Sequence, residues 1–232
     1  MVQYSDYLHD TYLTEVSTPV AHVARQDGGD AWIAVRRNIF HPQGGGQPAD
    51  RGWLGEAEVV PFRDAASGLV MVRAREGDGL AGLAEGDVVQ ARVDAGLRLL
   101  HAALHTAGHL VEAAGRTEGW ALAGSIHFPG QARIEFTPPE EGVDLSDPED
   151  RDKAADRLSA FVAAMVADDL PVTADHDAAG LRIVRLGDVH AAPCGGTHVR
   201  SLGDLAEVTI SGVKVKKGRV KVSYTASHRP RG

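Results

Sequence analysis

The sequence contains a single cysteine, Cys194, among 232 residues. One cysteine cannot form an internal disulfide, and the lack of a cysteine framework fits a reducing, cytoplasmic compartment. Aromatic residues are also scarce, at 5%, so the core has to be built mainly from Val, Leu, Ile and Ala. No apolar run approaches the ~20 residues of a membrane-spanning helix. The opening residues MVQYSDYLHD have neither the basic start nor the apolar segment of a secretory leader, so none is expected. Positive charge is the minority sign: 24 Lys and Arg stand against 32 Asp and Glu, for a net charge of −8. That balance weighs against nucleic acid as a bulk partner, because phosphate binding normally shows as a basic surface. A local exception lies near the C-terminus, where Lys214, Lys216, Lys217, Arg219 and Lys221 crowd together.

What is present is ordinary globular material. Hydrophobic residues make up 43% and charged residues 24%, and the length accommodates two compact domains. The expected fold class is α+β, with a small N-terminal β-barrel over residues 1–94 and a C-terminal α/β domain over 95–232 in which helices pack on an antiparallel sheet. Short Val- and Ala-rich runs bounded by Gly, Asp or Pro predict strands over Ala31–Arg37, Glu56–Phe62, Leu69–Arg73 and Asp87–Val93. Asp27-Gly-Gly-Asp30 is a turn signal before the first. From Asp94 to Ala114 the period becomes helical: Leu100, Ala103, Leu104, Ala107, Leu110, Val111 and Ala114 share a face, and Gly115 is a candidate stop. A second helix is predicted over Asp147–Asp168, with Pro148 at its first position and Leu158, Phe161, Val162 and Met165 as its stripe. The acidic run Glu140–Asp152 reads as a solvated loop leading into it. Further strands are predicted over Ala132–Phe136, Leu181–Leu186, Ala206–Ile210 and Arg219–Tyr224.

The strongest chemical signal is a set of metal-ligand residue types. His101, His105 and His109 recur every four residues on the first helix, so adjacent imidazoles share a face and can converge on one ion. Cys194-Gly-Gly-Thr-His198 supplies a thiolate and a further imidazole from a glycine-rich loop. Two helix nitrogens with a thiolate and an imidazole suit zinc and suit calcium or magnesium poorly. Spacing alone leaves open which two of the three helix histidines bind. A second signal is the triple glycine and amide of Gly44-Gly45-Gly46-Gln47-Pro48, which permits positive φ and close backbone approach. Taken alone, that loop reads as a flexible turn.

Together, His105-Thr-Ala-Gly-His109-Leu, Cys194-Gly-Gly-Thr-His198 and the upstream pattern FxPxGGGQPxDxG (Phe40–Gly52) resemble the free-standing AlaX editing proteins and the editing domain of alanyl-tRNA synthetase. A related zinc fold occurs in threonyl-tRNA synthetase. The resemblance runs from about Phe40 to Tyr224. It implies a barrel similar to the second domain of translation elongation factors, followed by the editing domain. By motif match it assigns one Zn2+ per chain to His105, His109, Cys194 and His198. It places Gly45, Gly46 and Gln47 near the editing pocket. The sequence departs from the synthetase pattern in having Gly108 where threonine is usual, Leu122 where glutamine is usual, and His41 where tyrosine is common.

The implied activity is hydrolysis of the ester of a mischarged aminoacyl-tRNA, Ser-tRNA(Ala) or Gly-tRNA(Ala), with a zinc-bound water as the reacting group and no protein base assigned. Gly195, Gly196 and Thr197 offer backbone N–H groups or a hydroxyl to the substrate, and Thr106 and Ser125 are candidates for reading a substrate hydroxyl. His190 reads as a loop histidine. The expected partner is alanine tRNA, with homo-oligomerisation open and no membrane. Two rival readings are a zinc-stabilised nucleic-acid-binding module without catalysis and a metallohydrolase of small esters or amides. Four protein ligands would make a closed zinc site, whereas a catalytic zinc keeps an open position, so one ligand is expected to bind weakly or the ion to become five-coordinate.

Overall fold

In the computed structural model, which describes residues 2–25, 31–140 and 145–230, β1 (Tyr4–Ser5) leads into the long strand β2 (Glu15–Arg25). There follow β3 (Ala31–Val35), β4 (Arg37–Asn38), β5 (Gly52–Leu54), β6 (Ala57–Arg63), β7 (Val70–Ala74) and β8 (Val88–Val93). The expected turn Asp27–Asp30 lies outside the described residues. Strands β2-β3-β7-β6-β5-β8 close into a barrel, and β1 pairs in parallel with β4. Side chains alternate inward, as the two-residue period of a strand requires: Val16, Val20, Ile33, Val35, Leu54, Val59, Val72, Ala91 and Val93 fill the barrel with Ile39, Phe40 and Leu80. Strand β2 escapes the sequence analysis because the polar Thr18 faces inward between Val16 and Val20, and Pro19 breaks the pattern.

The helix α1 (Ala95–Thr117) comes next, then β9 (Ala121–Ile126), β10 (Arg133–Thr137), α2 (Pro148–Ala167), β11 (Val172–His176), β12 (Arg182–Leu186), β13 (His190–Pro193), β14 (Leu205–Lys216) and β15 (Arg219–His228). Antiparallel strands in the order β14-β15-β10-β9 form one sheet, and β11-β12-β13 form another. The fold is therefore α+β with a closed barrel. By compactness, residues 1–44 with 48–99 form one unit, and residues 45–47 with 100–232 form the other. No helix among the described residues is long and apolar enough to cross a membrane.

Two expectations about α1 need correction. The periodicity predicts one apolar stripe, but every residue from His101 to Ala114 is buried, as for a helix surrounded by protein. Gly115 is not a stop: the helix runs through it, and a Cβ there would lie 2.4 Å from the Phe136 ring. The turn is made at Gly119, where φ is +78°, with Gly119 N–H donating to the Arg116 carbonyl and Trp120 N–H to that of Gly115. The second helix starts as the sequence suggests. Asp147 caps it by accepting from Glu149 N–H at 2.8 Å, and Pro148 occupies the first turn. Residues 148–152 of the acidic run are thus helical, while 141–144 lie outside the described residues. Leu158 and Val162 are buried, with Phe161 and Met165 packed partly against the same core. Strand β14 is more than twice the expected length and continues through a register shift between Ile210 and Gly212.

The barrel unit holds one fully desolvated charge pair. Arg98 donates from Nε to Asp50 Oδ1 at 3.0 Å and from Nη2 to Asp50 Oδ2. It also reaches the carbonyls of Thr11 at 3.2 Å and Ile39 at 2.6 Å. Asp50 Oδ2 accepts in addition from the His41 N–H at 2.6 Å. The aspartate and glycine that end the FxPxGGGQPxDxG pattern thereby acquire structural reasons. Asp50 neutralises a buried guanidinium, and a Cβ at Gly52 would lie 2.6 Å from both the Arg92 carbonyl and the Phe40 ring. Removing one partner of a buried pair strands the other charge. Asp50→Ala is therefore expected to destabilise the protein by about 3–5 kcal/mol in urea unfolding, and the double change Asp50→Leu with Arg98→Met to regain most of that loss.

Candidate metal centre

Helix α1 presents His105 and His109 one turn apart, with ring centroids 5.2 Å apart and planes 5° from parallel. The loop after β13 brings Cys194 and His198 to them, and the ligand-capable atoms of all four residues lie within 4.8 Å of one another. Cys194 Sγ is 3.4 Å from His105 Nε2 and 3.2 Å from His198 Nε2. The loop owes its shape to Gly196, since a Cβ there would sit 2.2 Å from the His105 ring. Arg182 on β12 clamps the same loop, donating to the carbonyls of Cys194 at 2.6 Å and Gly196 at 3.3 Å.

Hydrogen bonds behind the rings set which nitrogen is free. Gln47 Oε1 accepts from Thr197 N–H at 3.0 Å, which fixes the amide orientation, so His105 Nδ1 at 2.8 Å must be a donor to the same oxygen. That leaves the lone pair on His105 Nε2. Gln47 Nε2 donates to Thr197 Oγ1 at 3.0 Å. His198 Nδ1 lies 3.1 Å from Thr106 Oγ1, which also accepts from Val199 N–H at 3.2 Å. His109 Nδ1 lies 3.0 Å from His190 Nε2, and His109 Nε2 is buried without a hydrogen-bond partner. Buried polar atoms are rarely left so. Three imidazole nitrogens and one sulfur, each imidazole braced through Nδ1, are a donor set that fits zinc.

Burial pushes His109 down to about 3, with His190, His127, Arg116 and Arg182 adding to the effect. It pushes His127 down to about 4. Burial also lowers His190, against the opposing pull of Glu112. The Cys194 thiol is pushed up by burial, opposed by the Gly196 N–H and Arg182. His109, His127 and His190 are thus held toward the neutral form, and the Cys194 thiol holds its proton until a cation displaces it.

The structure places the sequence-predicted residues in two layers. Gln47 and Thr106 are both fully buried and lie behind the histidines, where their polar groups brace His105, Thr197 and His198. Gly46, at φ +77°, packs on β9: a Cβ there would meet the Ser125 carbonyl at 2.9 Å and His127 Cδ2 at 3.0 Å. Its carbonyl accepts from His127 N–H at 2.8 Å. Gly45 and Gly195 have open space where a side chain would be. His101 is buried on the same helix but is not among the four converging residues.

Sequence reasoning overlooks His127 and Glu112, and its reading of His190 as a loop histidine needs correction, because His190 begins strand β13 and pairs with Leu186. His127 stacks on His105 at 4.3 Å and 20°, with Nδ1 2.6 Å from Tyr224 Oη, which in turn reaches the Leu104 carbonyl at 3.0 Å. This accounts for Gly108, because a Cβ there would lie 2.3 Å from His127 Cε1 and 2.6 Å from Tyr224 Oη. Leu122 is exposed on β9. His190 and Glu112 form a second layer. Glu112 Oε2 is 3.7 Å from His190 Nε2, while Oε1 accepts from Arg116 at 2.6 Å. No sequence spacing announces them, since β13 carries His190 to the helix from 81 residues away.

A closed barrel and an α+β unit with a buried histidine–cysteine cluster define the class of protein. Comparison with known proteins supplies the family. Residues 181–221 match the model of the threonyl and alanyl tRNA synthetase second additional domain. The alanine–tRNA ligase of Frankia alni is 32% identical over 203 residues, covering 79% of this chain and 23% of the ligase. That of Enterococcus faecalis is 30% identical over 231 residues, covering 88% and 25%. That of Methanopyrus kandleri is 30% identical over 227 residues, covering 85% and 23%. The chain is similar to the alanine–tRNA ligases over most of its own length, matches the second additional domain at residues 181–221, and spans about a quarter of the length of these curated relatives.

Two measurements follow from the cluster. Because the Cys194 thiol is raised and His109 is lowered, zinc binding above the ordinary histidine range near 6.5 is expected to release about one proton, from sulfur. Affinity should then climb about tenfold per pH unit from about pH 7 to 8, above the ordinary histidine range near 6.5. Calorimetry in buffers of different ionisation enthalpy counts that proton. Replacing His190 by Ala leaves the His109 Nδ1–H unpaired and should weaken metal binding about 10- to 100-fold in a chelator competition. His190→Gln, which returns an acceptor oxygen, should recover most of it.

Proposed function

We propose that this chain hydrolyses the ester of mischarged aminoacyl-tRNA, with serine or glycine on alanine tRNA as the substrate. Water adds to the ester carbonyl, the acyl–oxygen bond to the terminal ribose breaks, and free amino acid and a tRNA hydroxyl leave. The observation that carries the proposal is the convergence of His105, His109, Cys194 and His198 in a relative of the alanine–tRNA ligases. Zinc held by these four would supply Lewis-acid polarisation of the carbonyl and a lowered pKa for water.

The chain's own residues do the remaining work. Gln47 and Thr197 lock His105, Thr106 locks His198, and His190 locks His109, so the ligand set needs no rearrangement when substrate arrives. Gly45 and Gly195 leave open backbone where a ribose or carbonyl oxygen can approach and be met by N–H groups. The Thr106 hydroxyl is already engaged, so Ser125, on β9 beside the glycine loop, is the better candidate for contacting a serine hydroxyl. A site built to bond that hydroxyl can reject the analogue lacking it by about 10⁴–10⁵. The buried imidazole of His127 stacks on His105 and closely approaches Gly46. Such chemistry belongs in the cytoplasm, where charged tRNA is made.

Deacylation of Ser-tRNA(Ala), Gly-tRNA(Ala) and Ala-tRNA(Ala), with and without a zinc chelator, tests the proposal. Rapid loss of serine or glycine with alanine spared, falling to the spontaneous rate on chelation, is expected. Spontaneous rates for all three would sink it and favour a binding module.

A further inference from the structure

The cations near the C-terminus gain meaning from strand register. In β14 and β15, Lys214 lies directly opposite Lys221, and Lys216 directly opposite Arg219. The turn between them places Lys217 at φ +53° and Gly218 at φ +71°. Two successive positive-φ residues make the tight hairpin turn for which Asn-Gly or Asp-Gly is the usual choice. A lysine therefore occupies a strained position that a neutral asparagine would fill more comfortably.

Opposed residues in an antiparallel pair share a face, and like charges directly opposite destabilise the sheet. The four paired cations consequently form a patch spaced about 7 Å along each strand and about 5 Å across. Lys214, Lys216, Lys217 and Arg219 are exposed and Lys221 is half-buried. Val213, Val220 and Val222 hold the opposite, core-facing side. Among the described residues no ion pair neutralises Lys214, Lys216, Lys217 or Lys221. Glu135 lies opposite Lys221 on β10, but its carboxylate is engaged by Arg133 at 3.1 Å. Arg219 donates only to the Thr137 hydroxyl. In a chain of net charge −8, five cations in eight residues without a carboxylate among them are a local exception that folding does not require.

We infer that the outer face of the β14–β15 tip is a docking surface for the phosphate backbone of RNA, and that it holds the tRNA whose aminoacyl end enters the site. The choice of RNA as occupant rests on the proposed function together with charge complementarity. A flat patch of cations with no groove or donor pattern suits repeated phosphates, which it would grip without regard to sequence.

Charge variants of the 232-residue chain test this. Lys214→Gln and Lys216→Gln should each weaken binding of uncharged tRNA and lower the slope of log affinity against log salt by about 1. Lys214→Glu and Lys216→Glu should weaken it further while raising Tm, because each converts a like-charge pair into an opposite-charge pair. Hydrolysis of a small aminoacyl-adenosine ester should be unchanged in all four variants, while kcat/KM for aminoacyl-tRNA falls. Wild-type affinity and salt slope in the variants would overturn the inference and leave the proposed hydrolysis standing. Lost binding accompanied by a lower Tm would also overturn it, by assigning the cations to folding. A wild-type protein that binds tRNA through this patch but hydrolyses nothing would uphold the docking surface and refute the proposed activity.

Discussion

Each imidazole of the cluster must give up its Nδ1 to an internal partner so that Nε2 can face inward, and much of the surrounding structure follows from that requirement. His105 needs a fixed acceptor, which is why Gln47 is held by Thr197 from two directions. His198 needs one, so the middle of α1 carries the hydroxyl of Thr106 rather than another alanine. His109 needs one, and β13 delivers His190. Fitting three partners around one helix turn leaves no room for solvent, so α1 is buried all round and the adjacent chain must pass at close range. The glycines at 46, 108 and 196 are the sites of that close passage: a side chain would collide with a histidine at 108 and 196, and with the Ser125 carbonyl beside His127 at 46.

The same crowding explains what the sequence could and could not disclose. Cys194-Gly-Gly-Thr-His198 and the four-residue spacing of His105 and His109 are local patterns, and residue type with spacing was enough to single them out. The helices were legible because apolar residues repeat with the helical period, over about four turns in α1 and about two in α2, and Asp147-Pro148 marks a start. Strand β2 was not, because Thr18 points into the barrel and is satisfied there by the N–H of Arg37. His127 and Glu112 went unnoticed, and His190 was read as a loop histidine, for a different reason: their role depends on strand pairing that brings residues from far along the chain to the helix. Gly108 looked like a lost functional residue and is instead the space that His127 and Tyr224 occupy.

Two kinds of buried charge chemistry coexist here. In the barrel unit the guanidinium of Arg98 is neutralised within the chain by Asp50 and by two carbonyls, so nothing external is required. In the other unit the ring nitrogens converge with a thiol and with no carboxylate among the four, a donor set that could hold a metal ion. One arrangement is closed and serves shape alone; the other is left open to chemistry.

The three residues Gly45–Gln47 cluster with residues 100–232, although the chain on either side of them belongs with the barrel. The histidine–cysteine cluster is consequently not a cassette that could be moved between genes by a single crossover near residue 95. Any such transfer would leave His105 without its amide. What can be shuffled as a working piece has to include the glycine loop as well, and the shared stretches of 203 to 231 residues with the ligases are of that larger size.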